Sequence, residues 1–452
     1  MSNIVLVSSP WLSEHSSKIR AKAVPWDGYQ RANLVSPSEL ALLKKIDRQP
    51  LAKQQQVFEK EQEVYAGLFE GLLGKLVRVD TVQAVLVGMG DLIGESQDRL
   101  NLFYNLQSQS SELPFAPLIK AISLSDEFIQ LKATQLLTVL ISSSPKLVSD
   151  STLHPLLSVL ANLLQAPSPH SKEIALQSLA LLLSVTSIRS SIWALEDTSI
   201  PVLSSLSKIL RSISGASPAG QGVVRDANPQ VMYWVGFCFW ELTFDRQVCE
   251  GIDKKLNLVP HLLSLAQSSP KQKVLRITLA TFRNLITLAP QVNVPAMLAA
   301  RVAPFVESLK GRKLGEDTEL EDDLNVLGDV LKEARSNLST WDEYASEVES
   351  GHLAWSPIHE SEDFWKENAT KLNEKDGKLI KILVDLLKAS DDPVVLAVAC
   401  ADIGHYVKNY ESGKKLVNNM GAKTRVMALM THENPDVRYR ALLAVQRLIS
   451  LG

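Results

Sequence analysis

The stretch "NPDVRYRALLAVQRLIS" (residues 434–450) has the apolar spacing of an amphipathic helix. Its apolar positions, at offsets i, i+4, i+7, i+8 and i+11, are Val437, Ala441, Ala444, Val445 and Leu448. These offsets share one face of a helix, which must be covered by a neighbouring element. Asn434 can cap the first turn, and Pro435 at the first helical position loses no needed hydrogen bond.

The same pattern recurs along the chain. The other stretches are "DEFIQLKATQLLTVLIS" (126–142), "NPQVMYWVGFCFWELTF" (228–244), "SPKQKVLRITLATFRNLIT" (269–287) and "DPVVLAVACADIGHYV" (392–407). The position at offset i+4 of each helix serves as the reference for measuring the repeat, and we call these residues the ruler positions: Ala133, Ala175, Val235, Thr278, Ala399 and Ala441. The distance along the chain is 42 residues from Ala133 to Ala175, 43 from Val235 to Thr278 and 42 from Ala399 to Ala441. HEAT and armadillo repeats are roughly 40–47 residues long.

This period predicts an all-α, armadillo/HEAT-like superhelical solenoid, in which stacked neighbours bury the face that one helix pair cannot bury alone. The step from Ala175 to Val235 is 60 residues, and the small-residue loop "SISGASPAGQG" (212–222) accounts for the surplus. Two acidic segments, "LGEDTELEDD" (314–323) and residues 341–376, are predicted to interrupt the period. We therefore expect an N-terminal domain at 1–350 and a smaller C-terminal helical-repeat domain at 351–452, joined by an acidic, Trp-containing linker.

Composition excludes several classes of protein. The 452 residues carry a net charge of −3, so no overall basic field favours nucleic acid. Three cysteines without a CxxC pair encode neither a disulfide framework nor a zinc knuckle, and we expect the cytosol as compartment. The start "MSNIVLVSSP" does not read as a signal peptide. The longest uncharged apolar stretch, 231–240, is shorter than the roughly 20 residues of a bilayer-spanning helix, so membrane association is expected only through a partner.

Motifs of catalysis are missing from the sequence. "GMGDLIG" (88–94) has the spacing GxGxxxG and no strand before it, so helix packing is favoured over a dinucleotide loop. No GxxxxGK[ST], GxSxG or HExxH motif is present. We therefore expect no enzymatic activity and no cofactor. Asp402, a carboxylate at an apolar offset, is predicted to be a locally hydrogen-bonded structural residue rather than a catalyst.

Two histidines near the linker raise the question of a metal site. His352 and His359 stand among Glu360, Glu362 and Asp363. The histidines are seven residues apart, and no recognised ligand spacing supports a metal. We therefore expect no metal ion here.

The linker is also rich in aromatic residues. The candidate interdomain or partner contacts are Trp341, Trp355, Pro357, Phe364 and Trp365. Aromatic side chains in a linker can fold back and fasten it to the nearest domain, or they can contact a partner directly. The two interpretations are compatible, because buried aromatics can hold an acidic surface in a fixed pose.

The C-terminal end is basic. From His405 onward, eight Lys and Arg side chains stand against Glu411, Glu433 and Asp436. The candidate contact residues on this basic end are Lys423, Arg425, Arg438 and Arg440. A solvated face or an acidic protein partner is favoured over RNA, because no aromatic stacking pattern accompanies these charges.

Several stretches carry a family resemblance. They are "LAWSPIHESEDFWKENATKLNEKD" (353–376) followed by "KLIKILVDLL" (378–387), the closing "NPDVRYRALLAVQRLI", "IRAKAVPWDGYQRANLVS" (19–36), "WELTFD" (240–245) and "WDEYASEVESG" (341–351). In this order they resemble the H subunit of the vacuolar-type proton ATPase. One departure is the short connection "KASDDP" (388–393), where some family members carry a longer loop. A regulatory role of that loop is therefore not carried over.

The resemblance implies a non-catalytic regulatory subunit. Such a subunit couples ATP hydrolysis to proton transport in the assembled pump and inhibits hydrolysis by the detached soluble sector. The implied partners are the E and G subunits of the peripheral stalk, the cytosolic domain of the a subunit in the membrane sector, and the soluble-sector and rotor subunits. The implied location is the cytosolic face of vacuolar and endosomal membranes. The resemblance also implies that the acidic linker is a joint between the N-terminal and C-terminal domains.

An armadillo-type peptide-binding adaptor for protein sorting or transport is the alternative function. Such an adaptor would be favoured by a regular ladder of Asn and Trp along a concave groove. Trp234 and Trp240 are present, but the sequence shows no such ladder.

Overall fold

The computed structural model describes residues 7–94, 96–197, 200–213, 228–269, 271–310, 317–336 and 340–449. It divides into two compact units, Met1–Ile209 and Leu210–Gly452. Residues 214–222 of the predicted insertion loop and residues 314–316 of the first acidic segment lie outside the described ranges.

Helices and no strands are found among the described residues of the first unit. Its helices are α1 (Pro10–Ala21), α2 (Trp26–Arg31), α3 (Pro37–Ile46), α4 (Leu51–Lys75), α5 (Val79–Ile93), α6 (Gln97–Tyr104), α7 (Phe115–Ile122), α8 (Glu127–Ser143), α9 (Asp150–Gln165), α10 (Pro169–Leu183) and α11 (Thr186–Leu195). Helix α12 (Val202–Ile213) crosses the division between the units. Two short 3-10 helices, Asn105–Ser108 and Pro145–Leu147, lie between these elements.

The second unit is built in the same way. Its helices are α13 (Pro229–Leu242), α14 (Arg246–Leu256), α15 (Leu258–Ser268), α16 (Gln272–Leu288), α17 (Pro290–Ala299), α18 (Val302–Lys310), α19 (Thr318–Ser336), α20 (Thr340–Ser350), α21 (Pro357–Glu360), α22 (Glu362–Asn368), α23 (Glu374–Ala389), α24 (Pro393–Asn409), α25 (Gly413–Asn419), α26 (Ala422–Leu429) and α27 (Pro435–Ile449). A 3-10 helix, Ala369–Asn373, precedes α23.

The ruler positions lie in helices that stack directly on one another. Helix α8 packs against α10, α13 against α16, and α24 against α27. All six ruler side chains are fully buried between these neighbours. The prediction of an all-α fold with armadillo/HEAT-like stacking is therefore confirmed, and no β-strand occurs within the described ranges.

The predicted Asn–Pro and Asp–Pro starts are helix caps. The Asn228 side chain accepts a hydrogen bond from Gln230 N at 2.9 Å, and Asp392 accepts one from Val394 N at 2.8 Å. Asn434 accepts from the backbone of the first turn of α27. Each cap satisfies an amide that the helix itself cannot pair, so the sequence sets where these helices begin.

The first acidic segment does not interrupt the array, contrary to the prediction. Its described part opens α19, which packs against α16 with Leu320 and Leu324 buried. Arg276 pairs with Asp317 and Glu319, and Arg283 pairs with Asp322 and Asp323. The carboxylates therefore attach one repeat to the next, a role that charge counting along the sequence does not show.

"GMGDLIG" lies within and directly after α5, and its first glycine is a packing residue as predicted. A Cβ on Gly88 would lie 2.6 Å from Phe69 Cζ of α4. Only a hydrogen at this position lets the two helices approach so closely. The segment has no strand before it and does not form a phosphate-binding loop.

The apolar stretch 231–240 belongs to α13, whose inward residues pack on α16. Within the described residues, no single helix combines the length and the apolar composition of a bilayer-spanning segment. The pair Pro169–Leu183 and Thr186–Leu195, bent by 115°, meets those two requirements only when taken together.

Candidate interaction site

The aromatic residues at the start of α22 belong to the core of the C-terminal helices. Trp365 is fully buried and Phe364 nearly so, within a cluster that extends from Tyr344 to Leu448. The Trp365 ring stacks on His405 with centroids 5.5 Å apart and meets the Tyr344 ring edge-on at 5.3 Å. These two aromatics therefore fasten the linker to α20 and α24.

Trp341 is partly buried at the margin of the same core. Its ring stacks against Phe364 with centroids 6.3 Å apart, and Lys371 Nζ lies 5.3 Å from its centroid. Cation–π contacts of this kind contribute about 0.5–1 kcal/mol at exposed sites. Trp341 therefore connects α20 to α22 and to the 3-10 helix before α23.

Trp355 connects the linker to the last helix. The Arg440 guanidinium lies 4.1 Å from the centroid of its ring, and the Trp355 indole N–H donates to Asp436 Oδ2 at 3.2 Å. The Arg301 guanidinium donates to the Trp355 carbonyl. Arg440 also pairs with Glu360 at 2.9 Å, so one arginine holds both sides of the short helix α21.

Pro357 is the first residue of α21, where a proline loses no helical hydrogen bond. It borders an open, mixed polar and apolar depression of about 680 Å³. The depression is lined by Trp355, Ser356, Pro357, Glu360, Ser361, Asp436 and Arg440. Two sequence candidates of the linker and one of the basic end are therefore brought together on one surface.

A buried polar cluster lies beneath this surface. His359 Nδ1 donates to Asp402 Oδ1 at 2.9 Å, and its Nε2 donates to Glu347 Oε1 at 3.2 Å. The Tyr344 hydroxyl donates to Asp402 Oδ2 at 3.2 Å. Because both ring nitrogens face carboxylates, both must carry protons, and His359 is an imidazolium.

The charges of this cluster stabilise one another. Burial lowers the pKa of His359, but the carboxylates of Asp402 and Glu347 outweigh burial and raise it to about 10. Burial raises the pKa of Asp402, and the adjacent imidazolium opposes that rise. A buried charge is tolerated when it is paired and hydrogen-bonded. Asp402 is a hydrogen-bonded structural residue, as predicted. The prediction of local bonding is wrong, because its partners His359 and Tyr344 are 43 and 58 residues away along the chain.

The two linker histidines do not meet. His352 contacts Asp253 Oδ2 of α14 at 3.1 Å, whereas His359 is enclosed by α20 and α24. With both nitrogens donating, the His359 ring has no lone pair for a metal. Across the described residues, no group of three or more His, Cys, Asp or Glu side chains is arranged to hold a metal ion.

The four basic candidates lie on two helices and differ in their contacts. Lys423 and Arg425 lie on α26, and the Arg425 Nε donates to the Leu387 carbonyl at 2.8 Å. On α27, Arg438 donates to two backbone carbonyls of the preceding loop, and Arg440 holds the linker. Three of the four guanidinium or ammonium groups therefore have contacts within the chain.

Sequence reasoning missed the partners of this site, among them Glu347, Tyr344 and Arg301. One signal was available: a carboxylate at the apolar offset of Asp402 requires a buried donor. The identity of that donor is set by tertiary packing, because His359 lies 43 residues away along the chain.

The fold and the site together define a class: an all-α helical-repeat protein whose charged and aromatic site residues hold helices and a linker in place. Two family models, both described as the H subunit of the V-ATPase, match the chain, one over residues 10–331 and the other over 337–451. The chain belongs to this family of V-ATPase H subunits. It is therefore a regulatory, non-catalytic subunit, and the peptide-adaptor alternative is not favoured.

Curated relatives give the same result. The V-type proton ATPase H subunit of Drosophila melanogaster is 30% identical over 450 residues, covering 98% of this chain and 91% of the relative. The probable V-type proton ATPase H subunit of Oryza sativa subsp. japonica is 28% identical, covering 96% of each chain. The second probable V-type proton ATPase H subunit of Caenorhabditis elegans is 41% identical over 227 residues, covering 49% of this chain and 48% of the relative.

Proposed function

We propose that this chain couples ATP hydrolysis to proton transport in an assembled vacuolar-type pump and inhibits hydrolysis by the detached soluble sector. The observation that carries this proposal is the family match over nearly the whole chain. The site is in keeping with a non-catalytic role, because Trp365, His359 and Arg440 make contacts that hold the chain's own helices together.

The proposed partners follow from membership of the complex. The N-terminal array binds the E and G subunits of the peripheral stalk. The C-terminal helices alternate between the cytosolic domain of the a subunit and an inhibitory contact with soluble-sector and rotor subunits. Such switching requires different affinities for the two states, not flexibility alone. The proposed location is the cytosolic face of vacuolar and endosomal membranes.

The proposed division of labour places a joint near the predicted boundary at 350/351. Gly351 directly follows α20 with φ +74, a left-handed conformation that favours glycine. The aromatic candidates Trp341, Trp355, Phe364 and Trp365, with Pro357, set the pose of the segment that follows. Because Tyr344 and Val348 of α20 pack with the C-terminal core, an experimental cut belongs before α20.

Removal of residues 337–452 tests the division. We expect the remaining fragment to keep its binding to the E and G stalk pair and to lose inhibition of the detached soluble sector. The measurements are ATP hydrolysis by that sector, purified without this subunit, and stalk binding by calorimetry. Circular dichroism checks that the fragment is helical.

Full-length chain added to the same sector is the reference. Dose-dependent inhibition by the full chain supports the proposed function, and its absence rejects it. If the truncated chain inhibits as strongly as the full one, the assignment of inhibition to the C-terminal helices is wrong.

A further inference from the structure

Helix α27 carries an uncovered apolar stripe, here called the α27 stripe. It consists of Tyr439, Leu442 and Ile449, whose residues are 56%, 42% and 55% exposed. Their spacing of three and then seven residues places them on one side of the helix. The opposite side is buried against α24 and α26.

The repeat shows what this stripe corresponds to. Ala399 and Ala441 occupy the same position in successive repeats, 42 residues apart. The residues of the α27 stripe therefore correspond to the three residues of α24 that lie 42 positions earlier. They are Ala397, Cys400 and Val407, and all three are buried. They share a side of α24 with Gly404, where a Cβ would lie 3.4 Å from Ala444 Cα of α27. The equivalent side of α24 is therefore the one covered by the next stacked helix.

The other ruler helices agree. One residue after the ruler position, the buried residues are Thr134, Leu176, Gly236, Leu279 and Cys400. Eight residues after it, they are Ile141, Leu183, Thr243, Ile286 and Val407. Among the ruler helices, only α27 exposes both positions, as Leu442 and Ile449. The α27 stripe thus has the form of a stacking surface without its next helix in the described part of the chain.

The charge beside the stripe indicates the chemistry of the occupant. Arg438 adjoins Tyr439 and is exposed. Residues 405–452 carry eight Lys and Arg side chains against three carboxylates, although Lys408 and Arg440 pair with Glu362 and Glu360 outside this range. Helix α19 provides a precedent in this chain. It stacks on α16 through buried leucines while its carboxylates pair with Arg276 and Arg283.

We propose that the α27 stripe is the docking surface for an acidic amphipathic helix of another subunit of the ATPase, which occupies the place of the next repeat. The proposal rests on the proposed function and names the surface through which it acts. A second copy of this chain fits less well, because a symmetric contact would place the two Arg438 charges together.

Site-specific photocrosslinking tests the contact itself. Benzoylphenylalanine replaces Leu442 in full-length chain incorporated into the assembled pump and into the detached soluble sector. Val394, 44% exposed at the start of α24, takes the same replacement as a matched control. We expect position 442 to crosslink to a helix of another subunit that has apolar residues at helical spacing and flanking carboxylates. We expect position 394 not to crosslink to that helix.

Leu442→Glu provides the affinity test, with Val394→Glu as its control. Loss of a buried leucine contact and repulsion by an acidic helix should weaken binding to the crosslinked subunit at least about tenfold. The control should bind as the parent chain does. Both side chains are exposed, so circular dichroism should be unchanged.

Three results would overturn the proposal: no crosslink from position 442 in either assembly, a crosslink only to a second copy, or a crosslink to a segment without carboxylates. Crosslinking reports contact and not inhibition. A crosslink to the expected kind of helix without any inhibition of hydrolysis would therefore reject the proposed function and keep this surface.

Discussion

His359 is a buried cation held between two carboxylates from other helices. Its partners, Glu347 and Asp402, lie 12 and 43 residues away along the chain. The sequence indicated that Asp402 needs a hydrogen-bond donor, because it interrupts an apolar face. It could not indicate which donor, because no local period relates residues of α20, α21 and α24. The histidine considered for a metal site is instead the charge that connects these helices.

We expect His359→Gln to loosen the attachment of α20 and α21 to α24. The neutral amide leaves two buried carboxylates without a positive partner, a change that costs about 3–5 kcal/mol. Amide hydrogen exchange should show lower protection in α20 and α21, and His154→Gln, on the partly exposed side of α9, should leave it unchanged. Equal protection in the His359 variant would contradict the role of the charge.

The same pair predicts a pH dependence. The pKa of His359 rises from 6.5 to about 10 on folding, so the imidazolium stabilises the fold fully below about pH 6.5. This contribution is lost as the pH rises through about 10. Protection in α20 and α21, corrected for intrinsic exchange rates, should therefore fall between these values in the parent chain. The fall should be smaller in His359→Gln.

Among the elements, the ruler helices were predictable and their neighbours were less so. Ala399 and Ala441 were placed on buried faces by spacing alone, and the caps at Asp392 and Asn434 fixed the helix starts. The stacking of α19 was not predictable from the charge of its first turn, because its partner arginines are about 40 residues away. The local sequence pattern therefore predicts the helix, whereas the role of its charged residues depends on tertiary contacts.

The close contact between α4 and α5 depends on the glycine at position 88. Gly88→Ala should lower stability, because its Cβ would lie 2.6 Å from the Cζ of buried Phe69. Overpacking of about 1–3 kcal/mol exceeds the gain of up to about 1 kcal/mol in helix propensity. The midpoint of urea unfolding, followed by circular dichroism, should therefore shift downward.

Gly71→Ala is the matched control in α4. A Cβ at Gly71 meets nothing within 4 Å, so only the propensity gain of about 0.5–1 kcal/mol remains. Its unfolding midpoint should shift upward. Shifts of the same sign in both variants would show that close helix approach does not determine the glycine at position 88.

Over the whole molecule, charge is distributed unevenly although the net charge is only −3. The basic end was evident from the sequence, but its residues were treated as equivalent contact candidates. The structure distinguishes them by their contacts: Arg440 holds Trp355 and Glu360, and Arg425 bonds to a carbonyl. Lys423 is half-buried on α26. Their substitution should therefore have different consequences for binding.

We expect Lys423→Glu to weaken association with the soluble sector only by removing long-range electrostatic attraction. The effect should therefore appear mainly at low salt. The Debye length falls from about 10 Å at 0.1 M to about 3 Å at 1 M, which screens a surface charge. Arg440→Glu should instead weaken association at every salt concentration, because it releases α21 from α27. The measurement is the dissociation constant at both concentrations, with hydrogen exchange of α21 as the structural readout. If Lys423→Glu weakens binding equally at both salt concentrations, Lys423 does not act through screened electrostatic attraction. If Arg440→Glu leaves α21 protected from exchange, Arg440 does not hold α21 against α27.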